Sequence, residues 1–323
     1  MTHQKNKWDL LVIGELNIDL ILNGIESFPE LGKEKIAEDL TMTMGSSSAI
    51  FAANSSRLGL SVGFSGMVGY DDFGNQILEE LRTFGIDTST IITSQKVRTG
   101  LTAILRHQND RAMITYPGAM EKYQYGNIPS RVFGSARHLH ISSLFLQPGI
   151  KKDLFTIIDR AKEHEMSVSI DPQWDPNEEW NLNFQKLVGA VDLFLPNEEE
   201  FLQITAGSTL DEGITKLQPH LSTGAIIIKQ GIRGATIVTS NNIQQVPGLE
   251  NEDPVDTVGA GDSFNAGFVF QYLQDSPLTE CAHFGNIAGA VSTTSAGGTE
   301  AIQDLETLKR IAKTKFSINE FAE

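Results

Sequence analysis

An alternation of short apolar runs with amphipathic segments constrains the fold most. Apolar runs at residues 10–13, 62–65, 138–141, 168–170, 191–195 and 225–229 are separated by stretches with helical spacing. Runs this short and this apolar read as strands buried on both faces. Residues 72–84 place Ile77, Leu78, Leu81 and Phe84 along a helix and stop at Gly85, which suits a left-handed C-terminal position. Residues 151–164 and 198–204 are further helical candidates. Strands alternating with helices predict a doubly wound α/β fold with a mainly parallel sheet covered on both faces. The 323 residues are expected to form a single domain.

Three segments break the rhythm. Residues 16–22, 34–44 and 98–117 alternate like hairpins, and in the last of them 101–105 and 112–116 flank the turn-rich Gln108-Asn109-Asp110. They predict a small β-sheet, built from segments 16–44 and 98–117, that acts as a lid. After residue 258 the pattern is helical, with Ser276-Pro277 expected to cap a helix running through Val291.

Charge narrows the class. Twenty-five Lys and Arg against 41 Asp and Glu give a net charge of −16. Such a polyanion disfavours nucleic acid and anionic membranes as partners. The lone Cys281 excludes an intramolecular disulfide. A polar start and the lack of an apolar run near the ~20 residues needed to span a bilayer predict a cytoplasmic protein.

Several chemistries lose their signature. Gly32-Lys33 is followed by Glu34, so there is no P-loop. Gly259 and Gly261 are followed by Phe264, so there is no G-x-G-x-x-G. His164-Glu165 meets Val168 where a zincin needs histidine, and no G-x-S-x-G elbow occurs.

The segment that carries chemistry is Asp256-Thr257-Val258-Gly259-Ala260-Gly261-Asp262-Ser263-Phe264 and the residues after it. Phe264, Gly267, Phe268 and Tyr272 have helical spacing, so a helix starts near Gly261. Its first amides lack partners within the helix and can face an anion. Asp262 lies in the first turn, where the helix dipole favours its charged form. A carboxylate beside an anion hole suits phosphoryl transfer: the amides stabilise the phosphoryl charge, and the carboxylate accepts the proton of an attacking hydroxyl.

The whole segment resembles the C-terminal signature of the ribokinase-like (PfkB-type) carbohydrate kinases. That resemblance implies a ribokinase-like fold and ATP-dependent transfer of a phosphoryl group to a sugar hydroxyl. It makes Asp262 the general base and Gly259, Ala260 and Gly261 the anion hole. It also makes Asp256 and the Val258 carbonyl, with groups near Ser292, Ser295 and Gly297, a site for a monovalent cation such as K+.

The likeness extends over nearly the whole chain. Gly14-Glu15-Leu16-Asn17-Ile18-Asp19 looks like the family's opening strand, with Asp19 binding sugar hydroxyls. Residues 45–74 are similar to the N-terminal signature, in which Gly45, Ser46 and Ile50 occupy substrate-binding positions. Asn197 and Glu200, in Pro196-Asn197-Glu198-Glu199-Glu200, match a motif that holds Mg2+ through water. Lys229, Gly231 and Gly234 resemble the strand-turn that wraps the nucleotide, and Asn286 matches an adenine-proximal Asn. The expected cofactors are ATP and Mg2+, and the resemblance allows a homodimer through the lid.

Two departures bear on the substrate. Ser46 replaces a usual glycine, and Ile50 replaces a usual sugar-binding Asn and cannot hydrogen-bond through its side chain. D-Ribose is therefore expected to be a poor substrate beside a hexose or sugar acid, and Ile50→Asn to shift preference toward plain sugars. Arg98, Arg106 and Arg111 of the lid could face an anionic substrate, although such charges are more often solvated. His138 and His140 read as packed or surface residues rather than metal ligands. Asp171-Pro172-Gln173-Trp174-Asp175 follows a strand end, where an open α/β sheet places its crevice. The rival readings are a nucleoside kinase of the same fold and a non-catalytic sugar-binding regulator.

Overall fold

The buried apolar runs pair side by side as parallel strands. The computed structural model describes residues 6–108, 110–319 and 321. Its strands are β1 (Trp8–Ile13), β2 (Asn17–Asn23), β3 (Asp39–Met44), β4 (Val62–Ser65), β5 (Met67–Gly69), β6 (Ile92–Ser94), β7 (Gly100–His107), β8 (Asp110–Tyr116), β9 (Ala136–Ser142), β10 (Ser167–Asp171), β11 (Leu193–Phe194), β12 (Ala225–Lys229), β13 (Ala235–Val238) and β14 (Ile243–Val246). The main sheet has eight strands in the order β14-β13-β12-β11-β10-β9-β1-β4. It is parallel from β12 to β4, and β13 and β14 are antiparallel.

Strand alternation sends successive side chains to opposite faces. Leu10 and Val12 of β1 join one buried cluster, with Phe64, Phe264 and Phe268; Leu11 and Ile13 join the other, with Leu139, Ile141 and Val168. The helix Asp72–Thr83 forms as the spacing predicts, burying Ile77, Leu78 and Leu81 and capped by Asp71, whose Oδ1 accepts from the Gly74 amide at 2.8 Å. The expected single helix over 151–164 is instead two, Pro148–Lys152 and Leu154–Glu163, interrupted at Asp153. Ser276 does not cap its helix. The hydroxyl donates to Gln271 Oε1 at 2.8 Å, and the helix Leu278–Ser292 starts after Pro277. That helix packs on Ala260–Tyr272 through small residues; a Cβ on Gly267 would lie 2.8 Å from that of Ala288.

The first face of the sheet is not wholly apolar. His138 and His140 of β9 stand opposite Ser167 and Ser169 of β10. His138 bonds Ser167 Oγ and Ser169 Oγ, and His140 bonds Ser169 Oγ, each at 2.7 Å. His140 also stacks on Phe51 with ring centroids 3.8 Å apart. Both imidazoles are fully buried, which favours the neutral form.

A second sheet has the order β3-β2-β7-β8. By register, Asp19, Thr43, Thr102 and Thr115 share one face with Arg106 and Arg111, while Leu20, Leu40, Met42, Leu101, Ile114 and Tyr116 share the other. Asn109, in the expected β7–β8 turn, lies outside the described residues. Among the described residues no helix is long and apolar enough to cross a membrane.

Candidate active site

The helix Ala260–Tyr272 begins at Gly259, whose φ of 74° is a left-handed conformation that glycine adopts without strain. No side chain caps this end. The Ala260 amide turns back to the Thr257 carbonyl at 3.3 Å, and the Ser263 amide bonds the Gly259 carbonyl at 2.8 Å. Among the described residues, no protein acceptor takes the Gly261 or Asp262 amides. The open amides therefore centre one residue later than the Gly259–Gly261 set expected from the motif.

Asp262 is 6% exposed. Burial raises its pKa well above the usual carboxylate value; the Asp171 charge adds to this, and Lys229 opposes it. Gln173 Nε2 spans the two carboxyls, donating to Asp171 Oδ2 and to Asp262 Oδ1 at 3.2 Å each. The Asp171 carboxylate draws most of its donors to Oδ2. Its Oδ2 also accepts from Lys229 Nζ at 2.7 Å and from Asn265 Nδ2, and its Oδ1 accepts from the Gln173 amide at 3.3 Å. The Asp262 carboxyl is thus held in one orientation with its proton affinity raised, as a general base would need.

The acceptor side is built on β2. Asp19 accepts from Asn17 Nδ2 at 2.8 Å, and burial pushes its pKa up to about 6 against the pull of that bond. Gly45 makes room for it: a Cβ there would lie 2.3 Å from Asp19 Oδ1. Behind Asp19 sits Glu15, which is 2% exposed. It accepts from Ser46 Oγ at 3.1 Å, Ser143 Oγ at 2.9 Å, the Ser48 amide at 3.3 Å and Ser48 Oγ. Burial raises its pKa despite those bonds.

Ser46 has φ 78°, a positive-φ backbone that favours glycine. Its hydroxyl offsets that strain by capping the helix Ser47–Arg57, accepting from the Ala49 amide at 3.0 Å and donating to the Glu15 carbonyl at 2.6 Å. Ile50, expected at a substrate-binding position, is 6% exposed and packs on the loop at Gly259. A Cβ on Gly259 would meet its Cγ2 at 3.1 Å, and one on Gly298 would meet it at 2.8 Å.

The nucleotide-side residues fall around the ends of β11 and β12. Asn197 and Glu200 form a reciprocal capping box on the helix Glu198–Thr205: the Glu200 amide bonds Asn197 Oδ1 at 2.8 Å, and the Asn197 amide bonds Glu200 Oε2 at 2.9 Å. Burial and then the Asp171 charge raise the Glu200 pKa to about 7. The box uses Oε2 and leaves Oε1, so Glu200 fits an Mg2+ that keeps most of its waters. Lys229 Nζ, besides its Asp171 bond, lies 3.7 Å from where a Gly261 Cβ would be. Gly231 and Gly234 have φ of 58° and 92°, and a Cβ on Gly234 would clash with the Val246 carbonyl at 2.0 Å. Asn286 holds the Pro247 carbonyl at 3.0 Å, which fixes the loop after β14.

Asp256 ties two loops together. Oδ1 accepts from the Val258 amide and Oδ2 from the Gly297 amide, both at 3.1 Å. Arg106 of β7 also reaches it, with Nη2 lying 3.3 Å from each oxygen. Ser292 Oγ turns to the Gly289 carbonyl at 2.8 Å, and Ser295 is half-buried nearby in sequence. Sequence reasoning passed over Glu15, Asn265 and the Arg106–Asp256 pair. A carboxylate inside an apolar opening strand was the visible sign of Glu15, and Asn265 stands one turn after Asp262. Gln173 was visible only as part of the 171–175 segment at the expected crevice, because its reach depends on a left-handed backbone with φ 57°.

Comparison with known proteins agrees with this geometry. Residues 7–305 match the family model of the pfkB family carbohydrate kinases. A 5-dehydro-2-deoxygluconokinase of Lacticaseibacillus casei is 27% identical over 314 residues, covering 94% of each chain. A nucleoside kinase of Methanothermobacter thermautotrophicus is 26% identical, covering 94% of this chain and 95% of its own. The crystal structure of an E. coli protein provisionally named ribokinase II, with ATP and Mg2+, superposes with a TM-score of 0.79 at 20% identity, over 94% of this chain and 99% of that one. The fold is thus the ribokinase fold, and the chain belongs to the pfkB family of carbohydrate kinases.

Proposed function

We propose that the enzyme phosphorylates a primary hydroxyl of a modified or longer sugar, a sugar acid above all, with Asp262 as the base. Asp262 takes the hydroxyl proton as that oxygen attacks the γ-phosphorus of ATP, and the β–γ bridging oxygen leaves. The Gly261 and Asp262 amides receive charge on the transferring group. Mg2+, held through water by Glu200, neutralises phosphate charge when bound. Asp19 orients the acceptor, and the small sheet excludes water as a lid. One observation carries the reading: a buried carboxyl of raised proton affinity lies beside open amides at a helix N-terminus.

The preference for an acid rests on Arg111, whose charge bears on Asp19. Arg106 is engaged by Asp256, and Arg98 lines a separate cavity of about 530 Å³ with Asp71, Asp72 and Tyr116. The gluconate-derived substrate in the name of the L. casei relative supports the same choice. The test is kcat/KM for ribose, fructose, a 2-keto-3-deoxy sugar acid and adenosine, in wild type and Arg111→Gln. The acid should lead, and the variant should lose the acid selectively. Ribose in the lead refutes the acceptor assignment; adenosine in the lead favours the nucleoside-kinase reading.

Two further proposals accompany this one. The apolar face of the second sheet, with Leu40 58%, Met42 45%, Ile114 70% and Tyr116 52% exposed, supports a homodimer through that sheet. Sedimentation of Ile114→Lys against wild type tests it, a monomer being expected only for the variant. Use of ATP supports a cytoplasmic location.

A further inference from the structure

The family resemblance implies a monovalent cation at Asp256, and the residues present do not fit one. Each Asp256 oxygen already accepts a backbone amide at 3.1 Å, and Arg106 Nη2 forks across both at 3.3 Å. The pair is sheltered, with side chains 32% and 10% exposed for Arg106 and Asp256. A metal cation placed on the same carboxylate would stand against the positive charge of the Arg106 guanidinium, 3.3 Å from both oxygens. The positive charge that this loop pair needs is therefore supplied by the protein itself.

The place of Arg106 in the fold gives that charge a second consequence. It lies on β7, on the same face as Thr102, which pairs in register with Asp19. The end of β7 is anchored to the segment after β2, because the Ile25 amide bonds the Arg106 carbonyl at 3.3 Å and His107 Nδ1 lies 2.8 Å from the Ile25 carbonyl. On the other side, Asp256 sets the Val258 amide, one residue before the left-handed Gly259. It also sets the Gly297 amide, one residue before Gly298, on which a Cβ would lie 3.2 Å from Gly259 Cα. One ion pair thus joins the acceptor-binding sheet to the loop that shapes the anion site.

We propose that Arg106 is a built-in replacement for the monovalent cation: its guanidinium seats on Asp256, makes turnover independent of K+, and couples the acceptor sheet to the phosphate loop. Arg106 is a positioning residue and touches no reacting atom. The inference rests on the kinase reading for its turnover arm only.

The test compares wild type, Arg106→Gln and Arg106→Lys in tetramethylammonium, Na+ and K+ chlorides at constant ionic strength, reading both turnover and thermal midpoint. Wild type should change less than twofold among the salts, with an unchanged midpoint. Arg106→Gln should lose up to about 10²-fold in kcat, the scale on which a misplacement of about 1 Å transmitted from a distance lowers turnover. K+, and not tetramethylammonium, should restore most of that loss and raise the variant's midpoint, as a ligand binding only the folded state does. Arg106→Lys should stay close to wild type. Strong K+ activation of wild type overturns the proposal, as does a folded Arg106→Gln that K+ neither rescues nor stabilises. If no sugar is turned over by wild type, the kinase reading fails, and the midpoint arm still decides whether K+ binds only when the guanidinium is gone. Should Arg106→Gln not fold, the wild-type titration and the lysine variant carry the decision.

Discussion

The charge environment of Asp262 makes a prediction with two arms of opposite sign. Gln173 Nε2 lies 3.2 Å from Asp171 Oδ2 and 3.2 Å from Asp262 Oδ1, so these oxygens are no more than about 6.4 Å apart. At an effective dielectric constant of about 20, two unit charges at that distance repel by about 2.6 kcal/mol, or about two pK units. Asp171→Asn removes that repulsion, so Asp262 ionises more readily and the acid limb of kcat/KM moves to lower pH by about one to two units. Lys229→Met removes a cation that favours the ionised base, so the limb moves to higher pH. Asp171 is fully buried and the Lys229 side chain is only 10% exposed, and breaking such a pair costs up to about 3–5 kcal/mol of stability. Urea unfolding therefore has to show that each variant is folded across the pH range. The assay is a pH profile with ATP and Mg2+ saturating. Limbs that stay in place, or that move in the same direction, refute the electrostatic account of the base.

Asp262→Asn should lower kcat by about 10²–10⁴. It should also stabilise the protein at pH 7 in urea melts, because a carboxyl whose pKa is raised by folding costs stability once pH exceeds its unfolded value of 3.8. Burial lowers His138 to about 3 and His140 well below 6.5. Their contribution is present above pH 6.5 and lost as pH falls toward 3, about 5 kcal/mol from His138 alone, and replacing both with Gln should flatten unfolding free energy over that window. Gly45→Ala pushes a methyl into Asp19, so KM for the acceptor should rise at least about tenfold while KM for ATP holds, as expected when a misplaced binding group is the only change.

How much was legible depends on how local each cause is. The β1 and β12 runs were readable because a strand buried on both faces is apolar nearly throughout, whereas β9 and β10 alternate His and Ser with apolar residues and were legible only through their second face. The helix start near Gly261 was readable because small residues and a first-turn acid obey one local rule. The break at Asp153 was not, since 151–164 is amphipathic throughout and only the Pro148 start fixes where the first helix begins. Long-range pairings were hidden for a stronger reason. Arg106 and Asp256 are 150 residues apart, and the cage around Glu15 collects serines from the start of one helix and the end of β9. Nothing within either segment announces the other, so a charged lid residue read as solvated or substrate-facing until the topology placed Asp256 beside it.

Residue 50 shows how a family position can change its work. As a departure from a sugar-binding Asn, Ile50 implied an altered acceptor pocket. In the structure its methyl groups fill the space left by Gly259 and Gly298. The polar contact to this loop comes from one turn further on: Asn54 Nδ2 donates to the Gly298 carbonyl and to Ser263 Oγ at 2.9 Å each. An Asn at position 50 would then bury an amide against two glycines whose nearby carbonyl is already taken. The expected result of Ile50→Asn is a loss of about 1–3 kcal/mol in stability, the cost of an unsatisfied buried polar group. Turnover should fall because the anion loop shifts. The ratio of kcat/KM between ribose and the sugar acid should stay within about twofold, since both acceptors meet the same displaced loop. A variant of native stability whose preference moves toward ribose would show that residue 50 faces the sugar after all, and would return the acceptor pocket to the family's arrangement.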